Sequence, residues 1–170
     1  MERVSKENYY LDIAEAVLER STCIRRMYGA VIVKDDEIIS TGYNGAPRGR
    51  ANCNLLGFCA REKLNIKSGE KYELCRSVHA EQNAIISASR SDILGSTMYL
   101  VGKNFKDGEY VVGSDCCSMC KRVVINSGVS RVVMRVDKEH YKVINVDDWI
   151  GYDEVLEEKV KPMIKEHEAK

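Results

Sequence analysis

His79-Ala80-Glu81-Gln82-Asn83-Ala84 and, thirty-odd residues further on, Cys117-Ser118-Met119-Cys120 decide the reading of this chain. The first stretch opens an apolar helical run through Ala84, Ile85, Ile86 and Ala88. The second opens another through Val123, Val124 and Ile125, which stops at Gly128 as a C-cap should. Cys117 and Cys120 stand at i and i+3 and share one helical face, so they can clasp one ion. Structural zinc is closed by four protein ligands, whereas hydrolytic zinc keeps three and leaves the fourth position to water. His79, Cys117 and Cys120 are therefore the candidate zinc ligands. Glu81, two residues from the histidine, is the candidate proton carrier. Helix N-termini add partial positive charge, which favours thiolate over thiol.

Around these stretches helices and strands alternate. Tyr10, Ile13, Ala14, Val17 and Leu18 make one apolar stripe of a helix over residues 5–20, with Ser5 as its N-cap. Ala30–Val33 and Ile38–Thr41 read as strands joined by a hairpin at Lys34-Asp35-Asp36-Glu37. Residues 42–49 are a glycine-rich loop containing Asn44 and Arg48. Further strands are expected at Thr97–Val101, Tyr110–Val112, Arg131–Val136 and Val143–Val146. The order predicts an α/β fold, a three-layer α/β/α sandwich with a mixed central sheet. Residues 1–170 read as one domain. Residues 50–78 form a Cys-containing insertion without sustained periodicity, and residues 147–170 a charged helix interrupted by Gly151 and Pro162.

Lys plus Arg equals Asp plus Glu at 26 each, and a neutral chain lacks the basic stripe that long nucleic acids require. The N-terminus carries no signal-peptide core and no apolar run is long enough to span a bilayer, so the expected location is cytoplasmic with no membrane partner. Seven cysteines form an odd count in a chain without an export signal, which favours metal ligation over disulfides. A purely structural zinc closed by Cys75 or Cys116 would leave Glu81 unexplained. Cys23, Cys53, Cys59 and Cys75 either pack as small hydrophobes or hold a second, structural zinc.

The pattern H-x-E…P-C-x-x-C is the general signature of zinc deaminases. The present chain follows it except that Cys116 stands where proline is expected. Ser21-Thr22-Cys23-Ile24-Arg25-Arg26, Gly29–Val33, Ile39–Pro47, His79–Ala84 and Cys117–Cys120 together resemble, in order, the deoxycytidylate (dCMP) deaminase family of the cytidine-deaminase-like zinc hydrolases. The likeness spans roughly residues 5–135. It implies hydrolysis of dCMP to dUMP and ammonia, feeding dTTP synthesis, with Glu81 carrying protons between water, ring N3 and the leaving amine. It also implies a base held near Asn44 and Ala80, a phosphate caught by Ser21 with Arg26 or Arg25, and an aromatic ring on the base, for which Tyr141 is nearest. Arg48 is a further phosphate candidate. Arg90, placed on the helix that carries Glu81, is a surface, interface or regulatory charge. The resemblance further implies a homo-oligomer, a hexamer being favoured, with dCTP and dTTP as effectors and Mg2+ accompanying the triphosphate. The alternatives are another cytosine nucleoside, nucleotide or RNA deaminase, and a zinc-stabilised binding or regulatory protein without turnover.

Overall fold

The computed structural model describes residues 3–113 and 115–168. Helix α1 (Lys6–Leu18) is capped by Ser5, whose hydroxyl accepts the Asn8 N–H. Strands β1 (Arg26–Lys34) and β2 (Glu37–Tyr43) follow. Between them Asp35 and Asp36 both adopt positive φ, 51° and 66°, the geometry of a two-residue hairpin turn whose twist matches the strands. The Tyr10 hydroxyl donates to the Asp36 carbonyl, and Lys6 pairs with its carboxylate, which ties this turn to α1.

Residues 50–78 hold only short pieces, α2 (Cys53–Leu56), α3 (Ala60–Lys63) and a 3-10 turn at Tyr72–Leu74. Then come α4 (Ala80–Ile86), α5 (Arg90–Ile93), β3 (Thr97–Asn104), α6 (Ser118–Ser127), β4 (Arg131–Arg135), β5 (Tyr141–Asn145), α7 (Val146–Gly151) and α8 (Lys161–Glu168). The sheet order is β2-β1-β3-β4-β5. Only β3 and β4 run parallel; the remaining pairs are antiparallel, so the sheet is mixed as expected.

Strand alternation builds two cores. Ala30, Ile32, Met98, Leu100, Val132 and Met134 point to the side covered by α4, α5, α6 and α7. Val31, Val33, Tyr99, Val101 and Val133 point to the opposite side, where α1 supplies Tyr10, Leu11, Ala14 and Leu18. Two glycines set the spacing of the layers. A Cβ on Gly29 would lie 2.1 Å from the Ala14 carbonyl, and one on Gly42 would lie 2.3 Å from both the Ala80 carbonyl and the Ala84 nitrogen.

Three expectations need correction. Tyr110–Val112 is not a strand: Tyr110 forms an isolated bridge to Lys103, held with the Val111 N–H to the Gly102 carbonyl. The helix carrying Glu81 ends at Ile86, and Arg90 opens a separate helix because Ser89 caps it by accepting the Asp92 N–H. Pro162 does not interrupt the last helix. The break falls at Tyr152 and Asp153, where the Asp153 carboxylate accepts the N–H groups of Val155 and Leu156. A π turn at Leu156–Val160, in which the Lys161 N–H bonds to the Leu156 carbonyl, runs without a break into α8 and carries the helical stretch past Pro162. No helix among the described residues is long and apolar enough to cross a membrane.

Candidate active site

His79 is the N-cap of α4 and Cys117 the N-cap of α6, and both have extended backbone, with φ/ψ of −73°/158° and −63°/157°. The two helices pack against each other on the same side of the sheet, so their first turns converge. The Gln82 side chain accepts the His79 N–H at 3.2 Å and fixes the start of α4. His79 Nδ1 lies 3.5 Å from Cys117 Sγ and 3.3 Å from Cys120 Sγ, and all three candidate ligand atoms lie within 4.8 Å of one another. A tetrahedral zinc with ordinary Zn–N and Zn–S bonds has N···S edges of about 3.5 Å, so this donor set fits zinc. It is the sole group of this kind among the described residues.

The same three groups share protons closely, and zinc would take the place of the protons on His79 and Cys120. The Cys120 hydrogen bond, with help from His79 and against burial, pushes the Cys117 thiol down to about 4. Burial works against a charged His79, but hydrogen bonds to Cys117 and Cys75 and the charge of Glu81 raise it to about 10. Cys120 is held up by the proton it shares with Cys117 and by burial. Glu81, in the first turn of α4, is buried, and that burial pushes its carboxyl up. Cys116 is also buried, which raises its thiol well above the usual range, and it hydrogen-bonds to Glu81 rather than joining the group around His79. The thiol in place of proline therefore stands beside the carboxylate.

A cavity of about 570 Å³ opens onto these residues. Its walls include Arg25, Arg26, Asn44 and Ala80 among the expected substrate contacts. Arg25 is paired with Glu62 at 3.0 Å, whereas Arg26 makes no ion pair among the described residues. The Asn44 side chain is largely committed to the fold. Its oxygen accepts from Ser21 Oγ at 2.7 Å and from the Tyr28 N–H at 2.8 Å, and its nitrogen donates to the Arg26 carbonyl at 2.9 Å. Ser21, Arg48, Arg90 and Tyr141 do not line the cavity. Ser21 serves Asn44, and Arg90 bonds to the Asn126 carbonyl on the outer surface.

Cys23, Cys59 and Cys75 line the cavity, and Cys53 is buried at the start of α2. The Asn54 N–H donates to the Thr22 carbonyl, bringing α2 beside Cys23. Burial raises the Cys23 thiol, and the neighbouring Cys75 and Cys53 add to that. Sequence reasoning missed Tyr72. Its ring meets the His79 ring edge-on, with centroids 5.4 Å apart, and the Arg61 guanidinium lies 4.6 Å from its centre. The only local hint was its position seven residues before His79, inside a segment without periodicity.

A His/Cys/Cys group beside a buried carboxylate, on an α/β/α sandwich, defines the class of zinc hydrolases with a cytidine-deaminase-like fold. The sequence model of the cytidine and deoxycytidylate deaminase zinc-binding region matches residues 4–136, and the chain belongs to that family. It is similar to the deoxycytidylate deaminase of Mycobacterium phage D29, with 37% identity over 138 residues, covering 78% of this chain and 96% of the phage protein. The Saccharomyces cerevisiae deoxycytidylate deaminase is 32% identical over 148 residues, 84% of this chain; the match spans 42% of the yeast protein's length. Among solved structures, the apo dCMP deaminase from cyanophage S-TIM5 superposes with a TM-score of 0.53 at 24% identity, covering 79% of this chain and 85% of that one.

Proposed function

We propose that this chain hydrolyses dCMP to dUMP and ammonia. The observation that carries the reading is the buried carboxylate of Glu81 beside the His79–Cys117–Cys120 group, at a cavity whose wall also carries Arg25 and Arg26. When bound, zinc would be held by His79, Cys117 and Cys120 and would acidify a water at its open position. Glu81 takes a proton on that side, delivers one to N3 of the cytosine ring, and passes one to the amine. Oxygen is thereby added at C4 and ammonia leaves, so the ring ends as uracil. Arg26, with Arg25 behind it, receives the 5′-phosphate, and Tyr72 holds the His79 imidazole in orientation. Similarity to the phage and yeast deoxycytidylate deaminases supports the choice of substrate.

The finer parts of the proposal are these. The chain acts as one deaminase domain in the cytoplasm, as a homo-oligomer with a hexamer favoured, regulated by dCTP and dTTP with Mg2+ on the triphosphate. The dUMP it makes feeds dTTP synthesis. A second, structural zinc is bound through Cys23, Cys53, Cys59 and Cys75, drawn together by the metal, since only the His79 group already has ligand spacing among the described residues. The proximity of Cys23, Cys53 and Cys75 supports this. Metal analysis tests it: wild type should carry two zinc ions per chain and Cys53→Ser one, and unchanged content would reject the second site.

The substrate is tested by offering dCMP, CMP, deoxycytidine and a short cytosine-containing RNA and following the ultraviolet change on loss of the amine. The expected order puts dCMP first. No turnover of dCMP, with or without dCTP and Mg2+, would refute the proposal.

A further inference from the structure

Cys116 is the departure from the general zinc-deaminase pattern, and its buried thiol has no part in the mechanism above. A proline at this position would fix φ and carry no N–H. Cysteine leaves φ free and adds a backbone donor, so the chain must supply both a restraint and an acceptor. Asp115 supplies both. One of its carboxylate oxygens accepts the Cys116 N–H at 2.8 Å, and the other pairs with Lys121 on α6 at 3.1 Å. Lys121 in turn lies 3.7 Å from Glu154 and 5.3 Å from the centre of the Trp149 ring. The entry to α6 is thus clamped by side chains, where proline would clamp it through the backbone.

That clamp leaves the side chain of residue 116 free for another task. Cys116 is 4% exposed and belongs to the core that includes Ala80 and Ala84, which stand on α4 with Glu81, and Cys120 on α6. Its thiol hydrogen-bonds to the Glu81 carboxylate, as does that of Cys120. When zinc is bound, Cys117 and Cys120 serve as thiolates and have no proton to donate. Cys116 lies outside the ligand group, and a thiol in apolar surroundings keeps its proton. It is then the thiol donor left to Glu81. A glutamate side chain turns about several bonds, and a donor fixed on one oxygen narrows the orientations it samples. We propose that Cys116 is a positioning residue for Glu81. Its S–H holds one carboxylate oxygen and leaves the other directed at the water and ring nitrogen between which protons move. This rests on the proton-carrier role assigned to Glu81 above.

Two measurements on the zinc-loaded chain test it. In steady-state kinetics, Cys116→Ala lowers kcat for dCMP by about 3- to 10-fold, the worth of one weak hydrogen bond to a charged group. KM and zinc content stay as in wild type. Cys116→Ser, which keeps an O–H donor, recovers most of the loss. Cys116→Pro, which rebuilds the general pattern without a donor, follows Cys116→Ala and serves if the alanine variant folds poorly. In the infrared, the difference between wild type and Cys116→Ser isolates the Cys116 S–H stretch. The band lies below that of a free thiol and moves back toward it in a Glu81→Gln background, where an amide oxygen replaces the stronger carboxylate acceptor. Wild-type kcat in Cys116→Ala, a serine variant as slow as the alanine one, or loss of zinc in either overturns the proposal. The infrared measurement needs no turnover. A wild-type chain that leaves dCMP untouched refutes the substrate reading, whereas a Cys116 band that Glu81→Gln does not move overturns the positioning role.

Discussion

The two faces of the sheet handle buried charge in opposite ways. On the α1 side the Arg135 side chain is fully buried, and the structure surrounds it with acceptors. Asp12 lies at 3.0 Å, Glu15 at 3.7 Å, and the carbonyls of Asn8 and Lys138 at 3.1 and 3.0 Å. Glu15 also receives Lys103 and the Tyr110 hydroxyl. On the α4–α6 side Glu81 is equally buried but makes no ion pair with Lys or Arg among the described residues. Its neighbours are His79 and the thiols of Cys116 and Cys120. A paired network of this kind holds elements together, whereas a buried carboxylate with no lysine or arginine partner, beside the histidine and thiols of the candidate metal group, is a group kept ready for proton transfer. The chain thus separates cohesion from chemistry by the thickness of one sheet.

The largest effect expected from breaking this division is at the ligands. Cys120→Ala should lower zinc affinity by more than the roughly 100-fold typical of losing an outer-shell partner, and abolish turnover with it. Metal content after dialysis, read beside activity, checks this. A sharper comparison uses the two close-approach glycines. Gly29→Ala forces apart β1 and α1, and Gly42→Ala forces apart β2 and α4, so each should cost about 1–3 kcal/mol of stability. Denaturant unfolding should show similar losses for the pair. Steady-state kinetics should show a fall in kcat only for Gly42→Ala, because only that variant displaces the helix of His79 and Glu81.

The smallest effect concerns acid. Burial would raise the Glu15 carboxyl, but hydrogen bonds from Lys103 and Tyr110 overcome it and hold the group below its ordinary value. A carboxyl held below its unfolded value contributes stability that is complete above that value and lost as pH falls through the folded one. Glu15→Gln should therefore lower stability near neutral pH and flatten its decline in acid, measured by thermal unfolding over a pH series. An acid limb identical to that of wild type would show that Glu15 is not part of the cohesive face.

Much of this division was legible in the sequence because it rests on local rules. His79 and Cys117 both precede apolar helical runs, so their place at helix starts followed from periodicity and capping. The continuous apolar run Ala30–Val33 marked the strand that separates the two cores. On the register, the structure groups Cys117 and Cys120, not Cys116, with His79, the three residues the spacing offered as candidate ligands. What failed depends on tertiary contact. Ser87, Ala88 and Ser89 carry no breaker as strong as proline, so the gap before Arg90 was hidden until Ser89 was seen to cap α5. Tyr72 and Arg61 lie in a segment with no repeat, and only folding brings them to His79. Asn44 was read as contacting the substrate; it lines the cavity, and most of its hydrogen bonds go to the backbone and to Ser21. A sequence names such a residue without saying how many of its bonds are already spent.

The central claim is that Glu81 handles protons while its neighbours hold the metal. It is tested most directly by measuring zinc content and dCMP turnover on one preparation of Glu81→Gln. The account predicts wild-type zinc with turnover reduced by about 10²–10⁴-fold or more, the usual worth of a positioned general acid–base group. Turnover within a few-fold of wild type, with zinc intact, would contradict it.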